Sequence, residues 1–280
     1  MGIVRKKSEI VSAKAVIHSL RNAHRGALRL PWLSLNEWRR LDDPEQVAYF
    51  ISGDCMVFQD RRDAGRLLAR ALETWRSRAD TIVLGLPRGG VPVAYEVAWA
   101  LNLPLDIFVV RKLGVPGQRE LAMGAIASGG MVAINQKVVE QMGISRAVIE
   151  TVIERENLEI ARREQVYREG RAPGGLEGLT TIVVDDGLAT GASMLAAVRA
   201  LRSRARRVIA AVPVAAESSC NELQSEVDEI ICLTTPTPFR AVGNFYRNFD
   251  QTSDDEVRAL LSRAQRNAGT VFPSKGEPRK

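Results

Sequence analysis

At 280 residues, with 45% hydrophobic and 26% charged side chains, the chain has the composition of a globular protein with a substantial core, and wholesale disorder is excluded. The longest apolar stretch, Ile82 to Val110, is interrupted by Arg88, Glu96 and Asp106, so no membrane span is expected. The formal charge of +6 gathers near the two ends, where seven Lys or Arg accompany one acid between Arg5 and Arg29, and specific nucleic-acid binding is not expected.

The length fits one α/β domain of roughly 200 residues with extensions better than two small domains. Cys55, Cys220 and Cys232 are odd in number, far apart and without metal-ligand spacing. They predict neither a zinc site nor a disulfide framework and suit a reducing cytoplasm. Residues 1–55 carry Trp32 and Trp38 but only weak periodicity, and read as an N-terminal extension, disordered or lying upstream of a true start at Met56. A transit or secretory leader fits them poorly.

From Phe58 the pattern is regular. Ala64, Leu67, Leu68, Ala71 and Trp75 recur at helical spacing and predict a helix over Asp60–Trp75. A buried strand over Thr81–Leu86, a helix over Val91–Leu101 and a strand over Leu105–Val110 form a β-α-β unit, which implies parallel pairing and a right-handed crossover. The segment Arg111–Glu120, RKLGVPGQRE, is rich in charge, Gly and Pro and predicts a long mobile loop. Short strands follow at Met123–Ala127 and Met131–Ile134. A helix over Ser145–Arg168 carries Ile149, Ile153, Ile160 and Tyr167 in a narrow seam, which suits packing within the chain better than a homodimer contact. Strands at Thr181–Val184, Arg207–Val212 and Glu229–Leu233 then alternate with helices at Ala192–Arg202 and Glu217–Glu226. Such alternation predicts an α/β fold with an open, mostly parallel sheet and helices on both faces, spanning residues 56–265 and followed by a basic tail, 266–280.

The chemistry concentrates in IVVDDGLATGAS, residues 182–193. A hydrophobic strand delivers Asp185 and Asp186 to its carboxyl end, where ligands bind in open α/β sheets. The turn through Gly187, Leu188 and Ala189, with Thr190, Gly191, Ala192 and Ser193 opening a helix, presents unpaired N–H groups and the positive end of the helix dipole to a phosphate. Two carboxylates beside a phosphate would repel it if they faced it, so they must face something else. Vicinal hydroxyls are a natural partner, because an ionised carboxylate only accepts hydrogen bonds. A second glycine-bearing turn, Leu86-Pro87-Arg88-Gly89-Gly90, closes the first sheet strand about a hundred residues earlier, and it does not fit the dinucleotide fingerprint.

Together these residues resemble the phosphoribosyl diphosphate signature of the type I phosphoribosyltransferases: hydrophobics, two acids, three variable residues, Thr-Gly, and a hydroxyl two residues later. The resemblance covers about residues 57–262. It implies that Asp185 and Asp186 hold the ribose 2- and 3-hydroxyls, touching a magnesium ion at most indirectly, and that Gly187 to Ser193 hold the 5-phosphate. It also implies that Pro87, Arg88, Gly89 and Gly90 meet the diphosphate across a cis Pro87–Arg88 bond. Arg111 and Lys112, with Arg119 and Glu120 beyond them, resemble the family's catalytic loop. Residues 234–250 resemble its variable hood, where Phe239, Phe245 or Tyr246 either stacks on an acceptor ring or closes a small core.

The implied activity is transfer of a 5-phosphoribosyl group from phosphoribosyl diphosphate to a nitrogen acceptor, a nucleobase, with release of diphosphate. Ala189 stands where the hypoxanthine-guanine enzymes carry an acid, which puts a 6-oxopurine acceptor in doubt. A non-catalytic regulator sensing phosphoribosyl diphosphate, and a hydrolase that consumes it without an acceptor, are the rival readings.

Overall fold

The computed structural model describes residues 57–171 and 174–267, with backbone alone at positions 119, 120 and 267. By contacts the chain divides into two compact units, residues 1–56 and 57–280, and the described residues belong to the second. The N-terminal extension with Trp32, Trp38, Cys55 and Met56, the tail beyond residue 267, and the Arg119 and Glu120 side chains lie outside the described residues.

The centre is a five-stranded parallel sheet in the order β2-β1-β6-β7-β8, built from β1 (Thr81–Gly85), β2 (Leu105–Ile107), β6 (Thr180–Val184), β7 (Arg207–Val214) and β8 (Glu229–Thr234). β1 and β6 lie side by side, with Gly85 opposite Val184, so their carboxyl ends are level. Alternate residues of these strands enter two separate cores, as period-2 geometry requires. Val83, Ile182, Val184, Ile209 and Ala211 share one core with α1 (Arg61–Ala71), α2 (Gly90–Leu101), α4 (Arg146–Arg168) and α7 (Asp254–Asn267). Ile82, Leu84, Val183, Val208 and Ala210 share the other with α5 (Ala192–Leu201) and α6 (Glu217–Gln224). The α/β sheet with helices on both faces expected from the alternation is therefore observed.

Three expectations need correction. The apolar run Leu105–Val110 is not one strand. β2 ends at Ile107, and after Phe108 and Val109 the chain enters a second, antiparallel sheet of β3 (Val110–Val115), β4 (Gln118–Ala127) and β5 (Met131–Ile134). Phe108 N–H still donates to the Gly85 carbonyl at 3.1 Å, whereas Val109 N–H donates to Ser128 Oγ at 2.8 Å, so the change of sheet falls between them.

Arg111–Glu120 is not a long loop either. It is most of a hairpin whose turn is Pro116-Gly117, with Gly117 at φ +80° and Val115 paired with Gln118. Proline followed by a positive-φ glycine is the signature of a type II turn. The charges sit on strand positions whose neighbours Leu113, Val115 and Met123 are buried, a period-2 pattern that the two glycines obscure.

The third correction concerns Cys220 on α6 and Cys232 on β8, which are joined as a disulfide with Cα atoms 6.9 Å apart. Their separation in sequence gives no hint that a helix and the strand after it bring them together.

The long helix forms as expected, with Ser145 as its N-cap. Its seam packs inward through Val152, Ile160 and Tyr167, with Ile149 and Ile153 half-buried beside them. Near its end the buried Arg168 forms ion pairs with Asp106 and Glu164, both at 2.9 Å, which ties α4 to β2. A short helix, α3 (Gln136–Gln141), precedes it.

Candidate active site

β6 delivers two half-buried carboxyls, Asp185 and Asp186, at the carboxyl edge of the sheet. Asp186 N–H donates to Asp185 Oδ1 at 2.9 Å, and Tyr246 Oη donates to the Asp186 carbonyl at 2.6 Å. Arg61 Nε donates to Asp186 Oδ2 at 2.8 Å. Burial and the neighbouring Asp186 charge push the Asp185 carboxyl well above the usual carboxylate range. For Asp186 burial also raises the value, and the Arg61 guanidinium works against it. The Tyr246 hydroxyl is held in its neutral form by burial and by Asp186, so it stays a donor.

The second glycine turn stands directly against this pair. Leu86 N–H donates to the Val184 carbonyl at 2.9 Å, and the Pro87–Arg88 bond is cis, as the resemblance implied. Gly89 caps α2 from outside, and Gly90 begins it. A Cβ at Gly90 would stand 2.6 Å from the Val184 carbonyl oxygen and 2.9 Å from Asp185 Cα. Only glycine lets α2 start this close to the end of β6.

The turn after the acids is pinned from β7 and α6. Leu188 N–H donates to the Val214 carbonyl at 2.9 Å, Ala216 N–H donates to the Leu188 carbonyl at 2.8 Å, and Ser219 Oγ donates to the Ala189 carbonyl at 2.7 Å. Gly191 adopts φ +67° as the cap of α5, a conformation that favours glycine. Ala189, Thr190, Ala192 and Ser193 are exposed around that helix start, open to an anion. At Gly187, Val242 of the hood fills the space where a Cβ would be, at 2.6 Å.

The expected cations do not gather as expected. Arg111 Nη2 pairs with Glu156 of α4 at 2.8 Å and so is held on the α4 side of β3. Lys112, the next strand residue, lies on the opposite face by alternation, where Val110 packs against the core that contains α5. Arg88 lies 3.8 Å from Asp254 Oδ1, which also accepts from Tyr167 Oη at 2.8 Å. Burial, with Asp254 assisting, pushes the Tyr167 hydroxyl up to about 12.

In the hood, Phe245 and Tyr246 are buried. Tyr246 packs between Phe58 at 5.3 Å and Phe249 at 5.0 Å, and Phe239 stacks on Phe245 at 5.4 Å. For Phe245 and Tyr246 the structure favours the small core over a ring platform.

Sequence reasoning passed over Arg61, Phe249, Asp250 and Ser219. One signal was available for the first: Arg61 and Arg62 open α1, where the helix dipole disfavours cations, so a partner elsewhere was implied.

Residues 59–246 match the family model described as a phosphoribosyl transferase domain. The chain belongs to that family. Two curated proteins of Mycobacterium tuberculosis, from strains CDC 1551 and H37Rv, whose names assign them provisionally to the phosphoribosyl transferases, are 48% identical over 226 residues. The match covers 79% of this chain and 51% of each of theirs, so the chain spans about half the length of these relatives. The crystal structure of TT1426 from Thermus thermophilus is 40% identical, with a TM-score of 0.66 over 74% of this chain and 99% of that one.

The acid pair, the glycine turn and the α5 start thus sit within a phosphoribosyl transferase domain. Among the described residues no three His, Cys, Asp or Glu side chains form a metal cluster, and no helix is long and apolar enough to cross a membrane.

Proposed function

We propose that the domain transfers a 5-phosphoribosyl group from phosphoribosyl diphosphate to a nitrogen of a nucleobase-type acceptor. The observation that carries this reading is the direct apposition of Gly89 and Gly90 on Asp186 and Asp185, beside the exposed start of α5. An acceptor for hydroxyls, a backbone surface for the diphosphate and a positive helix end for the 5-phosphate meet at the level ends of β1 and β6.

In this reading Asp185 and Asp186 accept from the ribose hydroxyls, each bond to an ionised group contributing about 1.5 to 3 kcal/mol. In the turn from Gly187 to Ser193 the Leu188 N–H is taken by the Val214 carbonyl, so the N–H groups from Ala189 to Ser193 are the ones that hold the 5-phosphate. Pro87 to Gly90 line the diphosphate, with Arg88 as the cation of that turn and Lys112, on the α5 side of β3, as the second cation assigned to it. As the bond from C1 to diphosphate breaks, its electron pair leaves with the diphosphate, the acceptor nitrogen's lone pair forms the new bond to C1, and the acceptor's N–H proton passes to solvent or to the departing diphosphate. Positive charge grows on the ribose beside the acids, while negative charge grows on the diphosphate beside the glycine turn and the cations. No residue is assigned as general base.

The donor set suits a magnesium ion that arrives with the substrate. Magnesium is commonly met by one or two carboxylates together with its own waters and a substrate's phosphates, and Asp185 and Asp186 are two adjacent carboxylates. Asp185 and Asp186 would meet it at most indirectly, through its waters or the ribose hydroxyls, and it would neutralise diphosphate charge.

The test is calorimetry with magnesium phosphoribosyl diphosphate, followed by diphosphate release over a panel of nucleobases. Asp186→Ala is expected to weaken binding by at least about 1.5 kcal/mol. Equal affinity in variant and parent removes the ribose role. Release without any base would instead indicate a hydrolase, and binding without release a sensor.

A further inference from the structure

Arg61 belongs to neither glycine turn nor acid pair, yet its guanidinium reaches the centre of the site. Nε lies 2.8 Å from Asp186 Oδ2, Nη1 donates to the Asp250 carbonyl at 2.7 Å, and the guanidinium carbon sits 3.9 Å from the centre of the Phe249 ring. The side chain is 12% exposed. Three different contacts on one guanidinium fix its position, since the planar fork has little freedom once bonded on two sides and stacked on a third. Nε also lies 3.2 Å from where a Cβ on Gly89 would be, so it fills the seam between the diphosphate turn and the acid pair.

We propose that Arg61 is a positioning residue for the ribose: by holding Oδ2 of Asp186 it fixes the rotation of that carboxylate and leaves Oδ1 to accept from a ribose hydroxyl. The inference rests on the phosphoribosyl transfer reading and extends it to a residue outside the signature. A carboxylate with both oxygens unheld would have to be oriented at the moment of binding, a cost that Arg61 removes in advance. Because Phe249 and Asp250 hold Arg61 in turn, the hood orients the acid pair from behind through this side chain.

The test compares two ligands in the full chain, magnesium phosphoribosyl diphosphate and magnesium diphosphate, by calorimetry. Arg61→Met is expected to lose about tenfold or more in affinity for the first and to bind the second as the parent does. Arg61→Lys, which restores a charge, is expected to recover part of the loss. If Arg61→Met does not melt cooperatively, Arg61→Gln is judged by the same pair of ligands. Unchanged affinity for phosphoribosyl diphosphate overturns the proposal. An equal loss for both ligands also overturns it, since that would mark Arg61 as a diphosphate contact or a general support of the fold. A parent that binds diphosphate but gains nothing from the ribose overturns the transfer reading itself, and the role of Arg61 with it.

Discussion

Gly89 lies so close to Asp186 that a Cβ on residue 89 would stand 2.1 Å from Oδ2 and 2.8 Å from Cγ. Two turns separated by almost a hundred residues of chain therefore share one surface, and the position of the Asp186 carboxylate depends on a missing side chain. Gly89→Ala is expected to push that carboxylate aside and break its bond to Arg61. The fold should lose about 1 to 3 kcal/mol, the usual cost of overpacking. Affinity for magnesium phosphoribosyl diphosphate should fall by about tenfold or more, on the scale of one charged hydrogen bond. Thermal melting and calorimetry read the two effects separately, and parent-like affinity would break the link between turn and acid pair.

Asp185 predicts a conflict between stability and binding. Its carboxyl is raised, so the folded chain keeps a proton that the unfolded chain releases. Stability thus falls as pH rises from the ordinary aspartate range through the raised value, and the whole penalty is present above it. Asp185→Asn keeps an oxygen for the Asp186 N–H and removes the charge. It should stabilise the ligand-free protein by roughly 0.5 to 2 kcal/mol at about pH 8, with the difference fading at about pH 3, while ligand binding weakens. Urea unfolding across this range decides it; a variant less stable than the parent at the high end would refute the conflict.

Arg111 and Lys112 should separate. Glu156 retains Arg155 at 2.9 Å when Arg111 is removed, and Arg111 is one-third exposed. Arg111→Ala should therefore cost on the order of 1 kcal/mol in stability, with a small effect on turnover. Lys112→Ala should lower kcat by about 10²-fold with little change in ground-state affinity, as expected when a cation acts on developing charge. Steady-state kinetics with an identified acceptor tests the split, and the reverse assignment would show that Arg111 leaves Glu156 to serve the diphosphate.

The boundary of the phosphoribosyl transferase domain can be placed by truncation. Phe58 is 1% exposed, its N–H donates to the Phe245 carbonyl at 2.8 Å, and its carbonyl accepts from Arg247 at 2.9 Å. Deleting residues 1–55 is expected to leave a cooperative melt and ligand binding intact. Deleting through Asp60 should lose about 3 to 5 kcal/mol, the cost of removing a buried phenylalanine. A lost transition in the shorter deletion would place part of residues 1–55 in the core.

Local patterns determined most of the architecture. The buried strands expected over Thr81–Leu86 and Thr181–Val184, the helices expected over Val91–Leu101 and Ser145–Arg168, and the acid-acid-glycine turn at the end of β6 were legible because burial on both faces yields continuous apolar runs and glycine marks turns. The positions of the acid pair and of the glycine-bearing turn after it followed from the same punctuation. Tertiary structure decided what depends on distant partners. Whether Arg111–Glu120 was a loop or a hairpin turned on pairing with β4 and on the core beneath Leu113, and a run of charges and glycines shows neither. The Cys220–Cys232 bond needed α6 to fold back along β8. Arg61 stands where the helix dipole disfavours a cation, but its partners were decided only when the hood brought Phe249 and Asp250 to it and β6 brought Asp186, because a long side chain takes its role from whatever the fold places within its reach.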